Sequence, residues 1–308
     1  LDFRLALSIQ HGRQMQRERI TDHIFVFRSD LYAQVTAGLV LTADGAVLID
    51  TLLYPEETLR IRRYIEQGLK SRVRFVINTH YHADHSTGSC FFPEAEVVAH
   101  QRCRQLLKER GHESLRRMQA TGGDFDAVHV VLPTRTFEDT MLLELGGCRF
   151  ELRHSPGHSP DSITCCVDDD TLFAADTLMP VPYFVDGNLE QLADSLRALV
   201  AEEYEHLVQG HGEVILRGEA PAKISSDLDY LQRLHEGVRS GLQRGDEDIE
   251  ERLSLSDCGK SFDQLQGIIE QLHRQNIQSL VNELLAETPA RHNRRVEGSN
   301  LWMQKQLT

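Results

Sequence analysis

The stretch that decides the fold is Arg74-Phe75-Val76-Ile77-Asn78-Thr79-His80-Tyr81-His82-Ala83-Asp84-His85. Its first half is a short, β-branched apolar run of the kind that forms a buried strand. Its second half places three histidines and an aspartate where that strand ends. In an extended segment alternate side chains point the same way, so His80 and His82 can face one ion. A turn after His82 sends Asp84 and His85 toward a second position nearby. Imidazole nitrogen and carboxylate oxygen together suit Zn, Fe or Mn. The lack of cysteine in the set argues against a purely structural zinc site.

Three further candidates each follow an apolar segment: His158 in Ser155-Pro156-Gly157-His158-Ser159, Asp176 in Phe173-Ala174-Ala175-Asp176, and His211 in Gln209-Gly210-His211-Gly212. A carboxylate at Asp176 has two oxygens, one for each of two metals. Two divalent ions held roughly 3.5–4 Å apart can share a water and lower its pKa toward neutrality, which makes hydroxide available as a nucleophile.

With Val47-Leu48-Ile49-Asp50-Thr51 added, these motifs resemble those of the metallo-β-lactamase-fold hydrolase superfamily, from about Asp22 to Gly218. The resemblance implies that His80, His82 and His158 bind a first metal, that Asp84, His85 and His211 bind a second, and that Asp176 bridges them. It makes Asp50 a carboxylate behind the ligand loop, orienting a metal-bound imidazole. True β-lactamases of the superfamily lack the bridging aspartate, so the ligand pattern is similar to that of glyoxalase II, the lactonases and the phosphodiesterases. Glycine often follows soon after Asp-Thr in the family; here Leu52-Leu53 follow, and the pocket rim is expected to differ.

Elsewhere the chain alternates strand sets with helices. Residues 24–27, 34–41 and 46–49 read as a β-meander, with the Asp44-Gly45 turn before its last strand. Pro55 opens a helix through about Gly68. A short strand at 97–98 and a helix over 101–110 follow, and 111–135 reads as a helix and then a loop. Residues 141–145, 149–154, 163–167 and 172–175 form a second strand set, with a helix over 190–200. Two strand sets, each with helices, fit the α/β class and the four-layer αβ/βα sandwich that the resemblance implies, occupying residues 1–219. In 220–286, Leu228, Leu231, Leu234, Val238 and Leu242 recur at helical spacing, as do Phe262, Leu265, Ile269, Leu272, Leu280 and Leu284. These read as two amphipathic helices separated by residues 245–260, packing on the sandwich, capping the cleft or forming a homodimer interface. Residues 287–308 read as a flexible tail.

Composition narrows the function classes. A net charge of −14 disfavours a nucleic-acid surface and anionic membranes. No apolar run approaches the roughly 20 residues that span a bilayer. The six cysteines show no paired framework, so free thiols in a reducing, cytoplasmic setting are expected, with a cleaved signal peptide as the alternative. The expected function is hydrolysis of a small molecule. A hydroxide bridging two divalent ions, Zn before Fe or Mn, would attack the ester-type carbonyl of a lactone, thioester or other ester. Asp84 would relay a proton to the leaving group, and Tyr183 would donate to the oxyanion or simply pack. β-Lactam or phosphodiester cleavage is the enzymatic alternative. The other is a regulatory protein working through its C-terminal helices, against which the intact ligand set argues. His100, His129, His154 and His206 match no ligand position and are expected to be structural.

Overall fold

The computed structural model describes residues 15–261 and 268–287. Two sheets form the body. The first has seven strands in the order β1(Gln16–Arg19), β2(Ile24–Arg28), β3(Thr36–Thr42), β4(Gly45–Ile49), β5(Val73–Ile77), β6(Glu96–His100) and β7(Arg135–Phe137). It is antiparallel from β1 to β4 and parallel from β4 to β7. The second sheet is made of β8(Thr140–Leu145), β9(Cys148–His154), β10(Ile163–Val167), β11(Thr171–Ala175), β12(His206–Gln209) and β13(Val214–Leu216).

The period-2 alternation of the strands sets the layers. Ile24 and Val26 of β2 join Phe150, Cys165 and Phe173 in an apolar cluster between the sheets. Phe25 and Phe27, one residue out of phase, turn to the opposite face and pack with Ile61 and Ile65. Likewise Cys165 faces inward and Cys166 outward. The outer face of the first sheet is covered by α1(Pro55–Arg63) and α4(His112–Gln119). That of the second is covered by α5(Leu189–Val200) and α6(Ala220–Arg244). The result is the four-layer arrangement anticipated from the sequence.

Several elements depart from the sequence reading. The 55–68 helix is α1 followed by a π-helical turn, Tyr64–Gly68, and the 101–119 region is one helical run, α3(Gln101–Leu106), a π-turn and α4. Strand β1 is fully exposed and carries only Gln, Arg and Glu, so no apolar period marks it; pairing with β2 makes it a strand. The three-residue strands β7 and β13 are too short to show a period, and α7(Ile249–Arg252) lies inside the segment read as a linker.

The C-terminal helices share a core with the sandwich. Leu231 and Leu234 of α6 and Leu272 and Ile277 of α8(Ile269–Glu287) sit in one apolar cluster with Leu192 of α5 and Leu172 of β11. Helix α6 ends at Gly245, whose φ of 77° gives the left-handed cap that glycine accepts without strain. Fully buried Asp227 binds two ammonium groups, Lys260 Nζ at 2.6 Å and Lys223 Nζ at 2.5 Å, which ties α6 to the segment before α8. Phe262, Leu265 and the tail beyond 287 lie outside the described residues. Among those described, no helix is long and apolar enough to cross a membrane.

Candidate metal centre

The site lies where the C-terminal ends of β4 and β5 meet the near end of the second sheet. Asn78 N bonds to Val98 O at 2.9 Å, and Ile163 N to Thr79 O at 2.9 Å, so the chain leaving β5 is pinned to both sheets. Residues 79–82 bend instead of staying extended, and His82 is the N-cap of a one-turn helix, α2(Ala83–Ser86). His80 and His82 therefore converge through a bend, not through strand alternation. They present different ring nitrogens: His82 Nδ1 lies 3.0 Å from both His80 Nε2 and His158 Nε2.

All seven sequence candidates meet here, in two groups: His80, His82, His158 and Asp176, and Asp84, His85 and His211. Asp176 stands between them. Its Oδ2 is 3.2 Å from His158 Nε2, 3.8 Å from His80 Nε2 and 3.5 Å from His211 Nε2, while Oδ1 is 3.3 Å from His85 Nε2. Asp84 Oδ2 is 3.4 Å from His211 Nε2 and 3.7 Å from His85 Nε2. The preceding Ala175 is held at φ 47°, a left-handed strain that turns the aspartate into the site. Opposite it, a Cβ on Gly210 would fall 1.7 Å from Asp176 Oδ1, so only glycine leaves room for the carboxylate.

Each imidazole turns one nitrogen inward and anchors the other, which fixes ring orientation as metal-ligating histidines require. His85 Nδ1 meets Asp50 Oδ2 at 2.8 Å, His158 Nδ1 meets Tyr183 O at 2.8 Å, and His211 Nδ1 meets Ala33 O at 2.9 Å. His80 Nδ1 faces Thr79 Oγ1 at 3.1 Å. Asp50, at φ 59°, also accepts from Thr79 N at 2.8 Å and Thr79 Oγ1 at 2.7 Å.

The electrostatics fit a cation-binding site. Burial, helped by neighbouring histidines, pushes His80 well below the usual imidazole range and His158 down to about 4, which favours the neutral rings that metal coordination needs. Burial opposes charge at His211 and His85 too, but Asp176 and Asp84 outweigh it, taking His211 up to about 10 and His85 well above its usual range. Against burial, His85 and His211 pull Asp84 down to about 2. His85 Nε2 and Asp176 Oδ1 are buried without a hydrogen-bond partner among the described residues. Such orphaned atoms facing one another are donors awaiting positive charge, and the set fits divalent metal.

A cavity of about 570 Å³ opens over the donors. Leu107, Leu115 and Met118 form one apolar wall, and Ile268 and Leu272, by and on α8, close the other. Tyr183 lines it, but its hydroxyl donates to Gln275 Oε1 at 2.9 Å; burial, then Asp186 and Asp84, push that phenol up to about 12.

Two residues here escape the sequence reading. Asp186 Oδ2 accepts from His82 Nε2 at 3.2 Å and Tyr81 Oη at 2.5 Å, while its Oδ1 takes Arg110 Nη1 at 3.0 Å. Burial opposes its charge, but His82 and Tyr81 hold the carboxyl down to about 2. Tyr32 lines the cavity beside Asp84 and Asp176, and its hydroxyl makes no hydrogen bond among the described residues. Neither stands in a motif or at a diagnostic spacing. His100 and His154 are structural: their rings stack at 4.1 Å and their Nε2 atoms meet Glu138 O and Pro160 O.

Comparison with known proteins agrees with this geometry. The family model described as the metallo-beta-lactamase superfamily matches residues 32–218. The chain is 32% identical over 136 residues to persulfide dioxygenase ETHE1, mitochondrial, of Bos taurus, covering 44% of this chain and 43% of that protein. It is 27% identical over 159 residues to the cytoplasmic isozyme of hydroxyacylglutathione hydrolase from Saccharomyces cerevisiae, covering 49% of this chain and 52% of that one. The match thus spans about half the length of these two relatives, or less. Among solved structures, a metallo-beta-lactamase from Pontibacter korlensis superposes with a TM-score of 0.59 at 21% identity, over 71% of this chain and 99% of that one, a likeness of fold. With more than half of its length matched by the family model and its donors gathered at the sheet ends, the chain belongs to the metallo-beta-lactamase superfamily.

Proposed function

We propose that the protein is a dinuclear metal-dependent hydrolase acting on a small molecule with an ester-type carbonyl: a lactone, a thioester or another ester. The observation that carries this reading is Asp176. One carboxylate oxygen faces His80, His158 and His211 and the other faces His85, so it touches both donor groups. His80, His82 and His158 would hold one ion and Asp84, His85 and His211 the other, with Asp176 between. Divalent metal bound there supplies Lewis acidity and acidifies water toward neutral pH.

The remaining work falls to the chain's own groups. The anchored imidazoles hold the donors in place without reorganisation during the reaction. Tyr32, which lines the same cavity as Asp84 and Asp176, would donate its hydroxyl to the developing oxyanion. Tyr183 can do so only by releasing Gln275. Asp84 accepts a proton and passes it to the leaving group. The apolar walls receive the acyl side of the substrate and exclude water from it.

Support for hydrolysis also comes from the hydroxyacylglutathione hydrolase, a hydrolase by name; the persulfide dioxygenase points to a different chemistry. The test is a substrate panel on protein loaded separately with Zn, Fe and Mn. Turnover of lactones, thioesters or simple esters is expected. Turnover confined to β-lactams or phosphodiesters would move the assignment within hydrolases. Oxygen consumption with a persulfide, and no hydrolysis, would overturn it.

A further inference from the structure

A second set of donors, unused by the metal centre, lies at the far end of the sheets. His23 precedes β2, Cys148 opens β9, and Asp168 sits in the turn between β10 and β11. One donor atom from each lies within 4.8 Å of the others. Strand β10 starts at Ile163, bonded to Thr79 beside the metal centre, and ends next to Asp168. At ~3.3 Å per residue, its length puts the two sites roughly 17 Å apart along the strand.

Each side chain is aimed by its own backbone. Asp168 is held at φ 50°; its Oδ1 accepts from Arg149 N at 2.8 Å, and its own N donates to Arg149 O at 3.0 Å. That leaves Oδ2 free to face His23 Nε2, 3.4 Å away. His23 is braced from the other side, its N donating to Thr21 Oγ1 at 3.3 Å and its Nδ1 lying 3.5 Å from the same oxygen. Yet His23 Nε2 is enclosed and makes no hydrogen bond among the described residues, the nearby carboxylate included. Asp168 thus stands between the other two donors, its charge facing the Cys148 thiol as well as His23.

We propose that His23, Cys148 and Asp168 bind a further divalent metal ion, which ties the first sheet to the second at the end away from the metal centre. Thiolate, imidazole and carboxylate together favour Zn among the common divalent ions. Zn–N and Zn–O bonds of about 2.0 Å and a Zn–S bond of about 2.3 Å place tetrahedral donors roughly 3.3–3.6 Å apart, so the three need close by only about an ångström. The His23 and Asp168 side chains are 37% and 34% exposed, so the cluster lies at the surface although His23 Nε2 itself is enclosed. Burial and the Asp168 charge keep the thiol protonated, and it releases that proton to solvent as metal enters.

Co(II) is the probe, because the seven donors of the metal centre include no sulfur and the other five cysteines are buried. The full chain loaded with Co(II) should show a thiolate-to-cobalt charge-transfer band in the near ultraviolet. Cys148→Ser should abolish that band and lower the bound metal by one equivalent, leaving the metal-centre ligand-field bands and turnover unchanged. His23→Gln, which keeps the thiol, should lower the metal content by the same equivalent and weaken the band. Absence of the band from the parent protein, its survival in Cys148→Ser, or equal metal content in parent and both variants would overturn the proposal.

Discussion

At the residue scale, the functional weight rests on a few contacts. Asp176→Ala removes the carboxylate that faces histidines of both donor groups, and turnover of the best substrate should fall on the order of a hundredfold or more. Elemental analysis should show bound metal falling with it; near-parent turnover would mean that one donor group suffices. Gly210→Ala tests the same carboxylate sterically. A methyl 1.7 Å from Oδ1 must displace it, so metal content should drop although no ligand has been changed. Asp186→Ala should weaken metal affinity about 10–100-fold, because His82 loses the partner that orients its ring. Competition against a chelator reads this directly, and unchanged affinity would confine Asp186 to the Arg110–Tyr81 contact. The seven candidate donors that the structure brings together were legible in the sequence because metal coordination demands particular residue types at short spacings beside strand ends. Asp186 and Tyr32 were not, because each acts through a contact between segments distant in sequence, such as the 104 residues between His82 and Asp186.

At the element scale, the strands of the two meanders were readable from their apolar runs, whereas β1 owes its existence to a neighbour's unpaired edge. The π-turns that join α3 to α4 and extend α1 were invisible because they keep the composition of ordinary helix. Helix α6 illustrates what periodicity leaves out. Its leucine spacing announces an apolar face, but an apolar pattern gives no sign of the buried Asp227, which lies in phase with that face and receives Lys223 and Lys260. Asp227→Asn would leave two largely buried ammonium groups without their counter-charge. Breaking a buried pair in this way costs about 3–5 kcal/mol. Denaturant unfolding should show a loss of that order, and a change below about 1 kcal/mol would mean that the lysines find water instead.

At the scale of the whole molecule, the C-terminal helices share the apolar core of the body that holds the candidate site. Asn276 of α8 donates to Pro182 O at 2.7 Å and accepts from Phe184 N at 3.3 Å, holding the segment that carries Tyr183 over the site. Deleting residues 221–308 would strip one side of the cluster under α5 and open the cavity wall made by Ile268 and Leu272. The truncated protein should aggregate and lose its preference among acyl groups. Size-exclusion and the substrate panel check this, and the same column tests the homodimer expected from these helices. A soluble truncated chain with parent-like preferences would remove the cap reading.

The closure of the site between the sheets also has a consequence for biosynthesis. His211 is anchored on Ala33 O across 178 residues, and Thr36 N meets Gly210 O at 2.8 Å. Translation delivers the 79–85 loop well before the 209–211 turn. A nascent chain that has exposed only its first sheet offers any passing ion an unbridged, half-built set of ligands. If the site binds metal as proposed, selection of the ion would be deferred until the second sheet has docked, and its identity would then depend on what the surrounding medium holds at that moment.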